Sequence, residues 1–361
     1  MGNLKNHTLV DEIEYKDILV EKRPLIDFKG NPIDGLCNHW IFLNNPQQFN
    51  SYTTAAVKEI ILASREASCD RSAVSVIFTA VGDKAFCTGG NTKEYAEYYA
   101  GNPQEYKQYM RLFNDMVTHL LICDKPVINR INGMRIAGGQ EIGMACDFSI
   151  ASDMARFGQA GPKHGSAPDG GSTDLLHLFV GMSHAMESLT LCQHWSAHQA
   201  VRIGLINKIT PVLKNKNGKF ISNPMVSLKE SDDWGNPAYG SYKKGEDKNE
   251  AKKKMAECEV DLSLLDQEVN NLVYSLAMTM PDCLAKTIES IRKKKLEHWY
   301  KNSETNRSWL ALNMMTEAKL GFRAFNEGPK GNREVDFAKL RRELAKGRPW
   351  TEEMVEEFIP R

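Results

Sequence analysis

The sequence predicts an α/β fold that is followed by an α-helical region. Up to about residue 212, short apolar segments alternate with stretches of helical periodicity, which is the order expected of repeated βα units. After about residue 257, only helical periodicity remains. A polar stretch rich in Gly, Asn and Lys separates the two regions. We therefore divide the 361-residue chain into a core at 1–213, a polar insertion at 214–257 and a C-terminal helical region at 258–361.

Five apolar segments in the core predict β-strands, because each is short, rich in Val, Ile or Phe, and bounded by turn residues. They span 39–43, 74–81, 127–131, 148–151 and 203–209. Four periodic stretches predict helices at 53–68, 105–122, 138–146 and 184–193. We expect the insertion to be a surface excursion without a role in chemistry.

The helical region after residue 257 has apolar faces that are too long to be covered by charged side chains alone. Those faces need a partner, which is either the rest of the chain or another subunit. Trp299, Trp309, Met314 and Met315 are therefore predicted to be core or interface residues. We expect the protein to self-associate through this region.

Charge and composition argue against several classes of protein. The 46 Lys and Arg residues balance the 46 Asp and Glu residues, so no overall positive charge attracts nucleic acid or an anionic membrane surface. No apolar run approaches the roughly 18 residues of a membrane-spanning helix, and the N-terminal segment has no apolar signal region. The eight cysteines include no C-x-x-C pair and are predicted to be reduced. We therefore expect a cytoplasmic protein that binds neither nucleic acid nor membranes.

Several motifs for cofactor or metal binding are incomplete. The segment 133–140 has the glycine spacing of a phosphate-binding loop, but it lacks the Lys and Ser/Thr that hold phosphate and magnesium. No G-x-G-x-x-G motif follows a predicted strand. His194 and His198 have the spacing of two zinc ligands, yet Trp195 replaces the general-base glutamate of such motifs and no third ligand is apparent. The sequence therefore predicts neither a metal nor a separate cofactor.

Two glycine-containing turns each follow an apolar strand and each begin a helical pattern. They read A-F-C-T-G-G-N around Gly90 and I-N-G-M-R-I-A-G-G-Q-E around Gly138. The start of a helix leaves backbone N–H groups unpaired, and glycine lets another carbonyl approach them closely. Alone, these glycines indicate tight turns. Two such donors aimed at one point would form an oxyanion hole.

The order of these motifs resembles the crotonase (enoyl-CoA hydratase/isomerase) superfamily. The resemblance covers 38–213 and rests on Phe86, Gly90 and Lys93, the I-N-G-x-x-x-x-G-G-x-E block with its following C-D, and the G-Q-A-G-P-K-H-G-S-A-P-D-G-G loop. It implies a spiral of ββα units and a C-terminal helical region used in trimer contacts, often within hexamers built from two trimers. It also implies a coenzyme A thioester as substrate, so coenzyme A would not be a separate cofactor. The donors to the thioester carbonyl would be Gly90 and Gly138.

Glu141 lies three residues after Gly138, so on a helix that starts there its carboxylate shares a face with the donor N–H. The resemblance matches Glu141 to the acid/base glutamate of the hydratases. The alternative is a carboxylate that is merely placed favourably near a helix N-terminus. The second hydratase glutamate falls at Gly161, which we expect to contact the substrate instead. The chain therefore departs from the ordinary two-glutamate hydratases.

The loop at 157–171 resembles that of the ring-forming dihydroxynaphthoyl-CoA synthases of the same superfamily, which close a ring by a Claisen condensation. Their loop also has glycine at the position of Gly161, and their aspartate matches Asp169 if one residue near Pro168 is inserted. Glu141 and Asp169 together imply water addition to a double bond conjugated to a thioester, followed by hydrolytic reversal of a Claisen step. The expected substrate is a cyclic acyl-CoA whose ring is opened. We assign hydration to Glu141, and water activation or proton donation at the ring ketone to Asp169.

Three further residues are candidates for contact with the substrate. His164 lies in the same loop, where a neutral imidazole suits proton transfer near pH 7, although a surface or hydrogen-bonded loop histidine is the alternative. Thr88 and Lys93 match synthase positions near the coenzyme A moiety. An ordinary solvated residue on the following helix is the alternative for Lys93.

Three other functions remain open at this point: a ring-forming synthase, a simple hydratase of another acyl chain, and an RNA-binding relative of these enzymes. The same loops favour the first two, and the pairing of Glu141 with Asp169 disfavours them. Only the lysine-rich segment 243–254 favours RNA binding, because the overall charge is balanced.

Overall fold

The structure, a computed structural model, describes residues 4–10 and 12–361. Its strands are β1 Ile18–Ile26, β2 Pro32–Leu43, β3 Ala73–Ala80, β4 Ala85–Cys87, β5 Val127–Ile131, β6 Met134–Ile136, β7 Phe148–Ser152, β8 Arg156–Gly158, β9 Trp195–Ser196, β10 Lys208–Thr210, β11 Leu213–Lys214, β12 Phe220–Ile221 and β13 Glu259–Val260. Its α-helices are α1 Thr54–Cys69, α2 Thr92–Glu94, α3 Pro103–Leu121, α4 Gly138–Ala145, α5 Ser172–Leu191, α6 Ala197–Arg202, α7 Gly245–Ala256, α8 Ser263–Ala277, α9 Pro281–Asn313, α10 Glu317–Glu327, α11 Phe337–Ala345 and α12 Glu352–Phe358. Short 3₁₀ turns span Pro46–Gln48 and Gly161–His164, and a π-helical turn spans Tyr95–Tyr99.

The strands of the core alternate between two sheets. The larger sheet has the strand order β1-β2-β3-β5-β7-β10, in which β1 is antiparallel to β2 and the other pairs are parallel. The smaller sheet has the order β4-β6-β8-β9. A strand of the large sheet, a strand of the small sheet and a helix follow one another as β3-β4-α3, β5-β6-α4 and β7-β8-α5. The predicted α/β class with a spiral of ββα units is therefore confirmed.

The strand β3 shows why the core strands read as continuous apolar runs. Val76 and Phe78 point into the main core, whereas Ile77 packs in a second cluster with Val269 and Val273 of α8. Both faces of the sheet are thus covered by helices, as is usual for parallel strands. Four of the five predicted strands, at 39–43, 74–81, 127–131 and 148–151, are confirmed within β2, β3, β5 and β7.

The fifth predicted strand, at 203–209, is wrong over most of its length. The helix α6 ends at Arg202, a turn follows, and only β10 pairs with the sheet. Gly204, at φ +81°, takes the left-handed conformation that ends a helix, and its N–H bonds to Val201 O at 3.1 Å. Leu205 and Ile206 are buried, but they lie in a turn that ends a helix. The sequence of this turn is as apolar as that of a strand, which explains the wrong prediction.

The predicted helix at 184–193 is the second half of α5. This helix begins at Ser172 and changes direction at Gly181, whose φ and ψ are 75° and 166°. The sequence pattern identified only the part beyond the kink. Its first half matters for the site, because the N-terminus of α5 lies against Glu141.

The polar segment 214–257 is folded. β11 pairs with both β12 and β13, so the start and the end of the segment are held together in one small three-stranded sheet. Asp153, at the end of β7, accepts hydrogen bonds from Asn223 N at 2.7 Å and from Val212 N at 3.3 Å. Ser196 Oγ donates to Gly240 O at 2.6 Å. These bonds attach the segment to the turn after β7 of the larger sheet and to β9 of the smaller one.

The C-terminal helices cover the core and leave apolar residues outside it. Trp299 and Met314 are buried, as predicted for core residues. Trp309 and Met315 are about half exposed, at 46% and 48% of their surface. Within the part of the chain that the structure describes, no helix has the length and apolar character needed to cross a bilayer.

A buried ion pair fixes α9 to the core. Arg292 donates from Nε to Asp147 Oδ1 at 2.7 Å and also bonds to Asp147 Oδ2, and its remaining donors reach the carbonyls of Cys123 and Lys125. Both charged side chains are more than nine-tenths buried. Asp147 Oδ2 in addition accepts from Val127 N, at the start of β5. Removing one partner would leave the other charge unpaired in the interior.

We therefore expect Arg292→Gln to lower the free energy of unfolding by about 3–5 kcal/mol, the usual cost of breaking a buried pair. Urea denaturation measures this difference. Lys293→Gln removes the same charge from the exposed neighbouring position and should change stability by less than about 0.5 kcal/mol. Equal effects of the two variants would contradict a structural role for the pair.

Candidate active site

The turn at Gly90 is held by the backbone of Tyr52. Tyr52 N donates to Gly89 O at 3.0 Å, and Asn91 N donates to Tyr52 O at 2.9 Å. These two bonds form a parallel bridge that leaves the Gly90 N–H on the side away from Tyr52. Among the described residues, the Gly90 N–H has no acceptor.

The second donor is Gly138, the first residue of α4. As expected for a first helical residue, its N–H has no acceptor in the described part of the chain. The preceding residue, Ala137, has φ 52° and ψ −126°, a conformation that is costly for a residue with a side chain. Its own N–H bonds to Gly158 O at 3.0 Å. This turn therefore presents the Gly138 N–H at the expense of local backbone strain.

The two turns touch, and tyrosine hydroxyls fill the space beside both glycines. A side-chain carbon at Gly138 would lie 1.9 Å from Tyr52 Oη, and one at Gly90 would lie 1.8 Å from Tyr95 Oη. A side-chain carbon at Gly89, whose φ is +101°, would lie 3.1 Å from Gly138 N. Only glycine allows this packing, and the predicted pair of neighbouring N–H donors is brought together.

Glu141 is buried in the first turn of α4, and its carboxylate faces the N-terminus of α5. Its Oε1 accepts from Gly170 N at 3.0 Å and from Ser172 N at 3.4 Å. Burial raises the pKa of Glu141 to about 8, although the two N–H donors oppose that change. Asp169 adds a further electrostatic increase to this pKa. The group can therefore both bind and release a proton near neutral pH.

A cavity of about 590 Å³ joins these groups. Seven of the eight predicted site residues line it: Thr88, Gly90, Lys93, Gly138, Glu141, Gly161 and His164. Pro168 and Gly170 also line it, but Asp169 between them does not. The Asp169 carboxylate instead accepts a hydrogen bond from Thr173 Oγ1 at 2.8 Å, and burial raises its pKa.

His164 lies at the end of the 3₁₀ turn Gly161–His164. Its Nδ1 is 2.9 Å from Ala160 O, and because a carbonyl only accepts, Nδ1 carries the proton. Nε2 is then the unprotonated nitrogen, and burial lowers the pKa of the ring. The imidazole packs against Phe322 and Phe325 of α10. His164 is thus a neutral base candidate inside the cavity.

Several cavity residues were not predicted from the sequence. Tyr52, Tyr95 and Tyr106 bring aromatic rings and hydroxyls to the cavity, and Arg333 lies at its exposed edge. Their contact with the glycine turns depends on the tertiary fold. The spacing of Tyr95 with Tyr99 and of Tyr106 with Tyr109 was a signal for tyrosines on the faces of two successive helical segments, whereas Arg333 had no signal.

The pair His194 and His198 does not lie on one helix turn, because β9 separates them. Among the described residues, one group of side chains is close enough together to hold a metal ion. It consists of Cys37 and His39 of β2 and of Asp70 at the end of α1. Lys22 Nζ, however, is 3.0 Å from Asp70 Oδ2, so this carboxylate already has a cationic partner. The expectation that no metal is needed stays a prediction.

Residues 38–223 match the enoyl-CoA hydratase/isomerase family. The chain belongs to this family. One solved structure of similar fold is an enoyl-CoA hydratase/isomerase from Xanthobacter autotrophicus Py2. It has a TM-score of 0.63 at 20% identity, over 92% of this chain and 99% of that one. An enoyl-CoA hydratase from Mycobacterium avium subsp. paratuberculosis K-10 has a TM-score of 0.61 at 19% identity over 87% and 97% of the two chains.

Family members with much higher identity match over the whole chain. A protein of Geobacter metallireducens named 6-oxocyclohex-1-ene-1-carbonyl-CoA hydrolase is 58% identical over 99% of this chain and 96% of its own length. Proteins with the same name from Thauera aromatica and Syntrophus aciditrophicus are 58% and 46% identical, again over 99% of this chain and 96% of theirs. The match therefore includes the polar insertion and the C-terminal helices.

The contact between Tyr52 and Gly138 generates a test of this family site. A methyl group in Gly138→Ala would collide with the Tyr52 hydroxyl and press on Gly89, so the two donors would separate. We expect a loss of about 10²–10³ in kcat, comparable to removing one oxyanion donor. Steady-state rates with the acyl-CoA substrate measure it. Gly30→Ala is the control: at φ +87° in an open hairpin turn the methyl group strains the backbone but meets no neighbour, so stability falls and the rate of the folded enzyme should be kept. Full activity of Gly138→Ala would show that Gly138 is not part of the site.

Proposed function

We propose that the protein adds water to the conjugated double bond of 6-oxocyclohex-1-ene-1-carbonyl-CoA and then opens the ring hydrolytically, which yields 3-hydroxypimeloyl-CoA. The observation that carries this proposal is the full-length similarity, at 58% identity, to two proteins named as hydrolases of that thioester. The site supports it, because a pair of backbone donors, a buried carboxyl group and a neutral histidine share one cavity.

In the hydration step, the thioester carbonyl accepts hydrogen bonds from Gly90 and Gly138. Ionised Glu141 takes a proton from water as the water oxygen bonds to the β-carbon. The electrons of the double bond move toward the thioester oxygen, where the two N–H groups stabilise the enolate. Glu141 then returns the proton to the α-carbon. A pKa of about 8 suits both transfers, because the ionised form that accepts the proton is still populated at neutral pH.

In the ring-opening step, a second water attacks the ring ketone to form a tetrahedral oxyanion. The bond between the former ketone carbon and the α-carbon then breaks, and its electron pair forms the thioester enolate again. Protonation of the α-carbon and loss of a proton from the new carboxylic acid complete the reaction. One pair of donors therefore serves both steps, since each passes through an enolate of the same thioester.

We propose Asp169 as the group that activates the second water, with His164 as the alternative. Asp169 is close enough to influence the charge on Glu141, but its carboxylate is turned toward Thr173 and must rotate to reach the cavity. His164 already lines the cavity with its unprotonated Nε2 available. The variant Asp169→Asn, described below, separates the two candidates.

The coenzyme A moiety is proposed to bind along the rim formed by Thr88, Lys93 and Gly161. Lys93 and Arg333 are both exposed at this edge, so they bring positive charge to the phosphates of coenzyme A. The groups assigned to the two steps are all supplied by the chain and by water. We therefore propose that neither a metal nor a separate cofactor takes part.

The exposed apolar residues of α5 and the C-terminal helices support self-association as a trimer or hexamer. Met182 and Met186 of α5 and Trp309 and Leu312 of α9 are each at least 46% exposed. We further propose that the protein acts in the cytoplasm, in the anaerobic degradation of aromatic compounds through benzoyl-CoA. The balanced charge gives no support to the RNA-binding alternative.

The two carboxyl groups are tested by their amides. Glu141→Gln keeps the shape but loses proton transfer, so hydration should slow by about 10²–10⁴ and the unsaturated ring thioester should persist. Asp169→Asn should instead accumulate the hydrated, still cyclic thioester. Mass spectrometry of quenched reactions separates the species, because each water adds its own mass to the acyl-CoA. Accumulation of one species in both variants would contradict divided roles, and His164 would be the next residue to replace.

The pH dependence of the hydration rate follows from the raised pKa of Glu141. If the ionised form accepts the proton from water, the rate of loss of the unsaturated thioester should rise about tenfold per pH unit and level off above about pH 8. Glu141→Gln should show a flat residual rate over the same range. A rate that falls as the pH rises would instead identify the protonated carboxyl as the active form.

A further inference from the structure

Tyr52 connects the two donor turns. Its backbone is bonded to both sides of Gly90, and its hydroxyl lies against the α-carbon of Gly138. Its ring packs on Phe113 with centroids 5.7 Å apart and is almost completely buried. The position of the hydroxyl is therefore fixed by backbone bonds at one end of the residue and by aromatic packing along its length.

Tyr52 lines the cavity with its hydroxyl beside Gly138, and this hydroxyl has no hydrogen-bond partner among the described residues. Tyr95, whose hydroxyl lies against Gly90, differs in this respect because it bonds to Tyr109 Oη at 2.6 Å. Burial raises the pKa of Tyr52 well above its usual value, and Glu141 adds to this increase, so the hydroxyl keeps its proton. A neutral hydroxyl in a largely buried position needs a hydrogen-bond acceptor, and at this position the substrate has to supply it.

The chemistry of ring opening requires such a donor. The thioester oxygen occupies the Gly90 and Gly138 N–H groups, whereas the tetrahedral intermediate places a full negative charge on the former ketone oxygen. The thioester carbon and the former ketone carbon are both bonded to the α-carbon, so their two oxygens lie close together. A donor beside Gly138 is therefore adjacent to the former ketone oxygen. Preorganised donors at a developing oxyanion are among the largest contributions to catalysis.

We propose that the Tyr52 hydroxyl donates a hydrogen bond to the ring ketone oxygen and stabilises the oxyanion formed when water attacks it. This inference rests on the proposed function. Tyr52 is then a catalytic residue that acts mainly in the second step. During hydration the negative charge is shared between the thioester and ketone oxygens, so the loss of the hydroxyl affects that step less.

The test is Tyr52→Phe under single-turnover conditions with 6-oxocyclohex-1-ene-1-carbonyl-CoA, with each species followed by mass spectrometry. Ring opening should slow by about 10²–10³ and hydration by less than about tenfold, so the hydrated cyclic thioester accumulates. Tyr99→Phe is the matched control, because Tyr99 is as buried as Tyr52 but its hydroxyl bonds to Thr54 Oγ1, away from this cavity. Its two rates should equal those of the wild type.

Unchanged ring opening in Tyr52→Phe would overturn the inference. An equal loss in both steps would also overturn it, because a residue that only positions the donor turns affects both enolate steps alike. Thermal unfolding of both variants checks that the fold is kept. If the wild type hydrates the thioester but never opens the ring, the proposed function itself fails, a result that is recognisable before any variant is compared.

Discussion

The left-handed backbone of Gly89 lets two donor turns from different ββα units meet, since a side-chain carbon there would lie 3.1 Å from Gly138 N. The N–H groups of Gly90 and Gly138 belong to segments about fifty residues apart, and neither has an acceptor among the described residues. Their separation is set by the pairing of β4 with β6, by this packing and by the strained Ala137. The pair of N–H groups is the point from which the role of every other group in the cavity is judged, because it would hold the carbonyl of a bound thioester.

The acidity of Glu141 results from a competition between burial and hydrogen bonding. Two N–H groups at the start of α5 favour the carboxylate, but the loss of water outweighs them. Asp174, in the first turn of α5, adds negative charge nearby, and burial raises its own pKa to about 6. Asn302 Nδ2, from α9, donates to Asp174 at 2.7 Å. The C-terminal helices thus contribute to the electrostatics of the site as well as covering the core.

Features encoded by neighbouring residues were predictable from the sequence, and features that depend on distant contacts were not. Gly138 and Glu141 lie on one helix start, so their spacing alone predicts a shared face. The approach of Tyr52 to Gly138 depends on how β4 and β6 pair, which no local pattern encodes.

Two further differences have local physical causes. The orientation of Asp169 is decided by a hydrogen bond to Thr173. The false strand at 203–209 arose because an apolar helix-terminating turn and a strand have the same composition.

The attachment of α9 has a consequence for the order in which the chain folds. Arg292 pairs with Asp147 across 145 positions of sequence, and Trp299 bonds to Thr118 across 181. Until the ribosome has released most of the chain, Asp147 and the carbonyls near β5 lack their hydrogen bonds to Arg292. Contacts of such long range slow folding and leave a collapsed, incomplete core exposed in the meantime. Synthesis of the last third of the chain therefore sets the earliest time at which the active-site half can become stable.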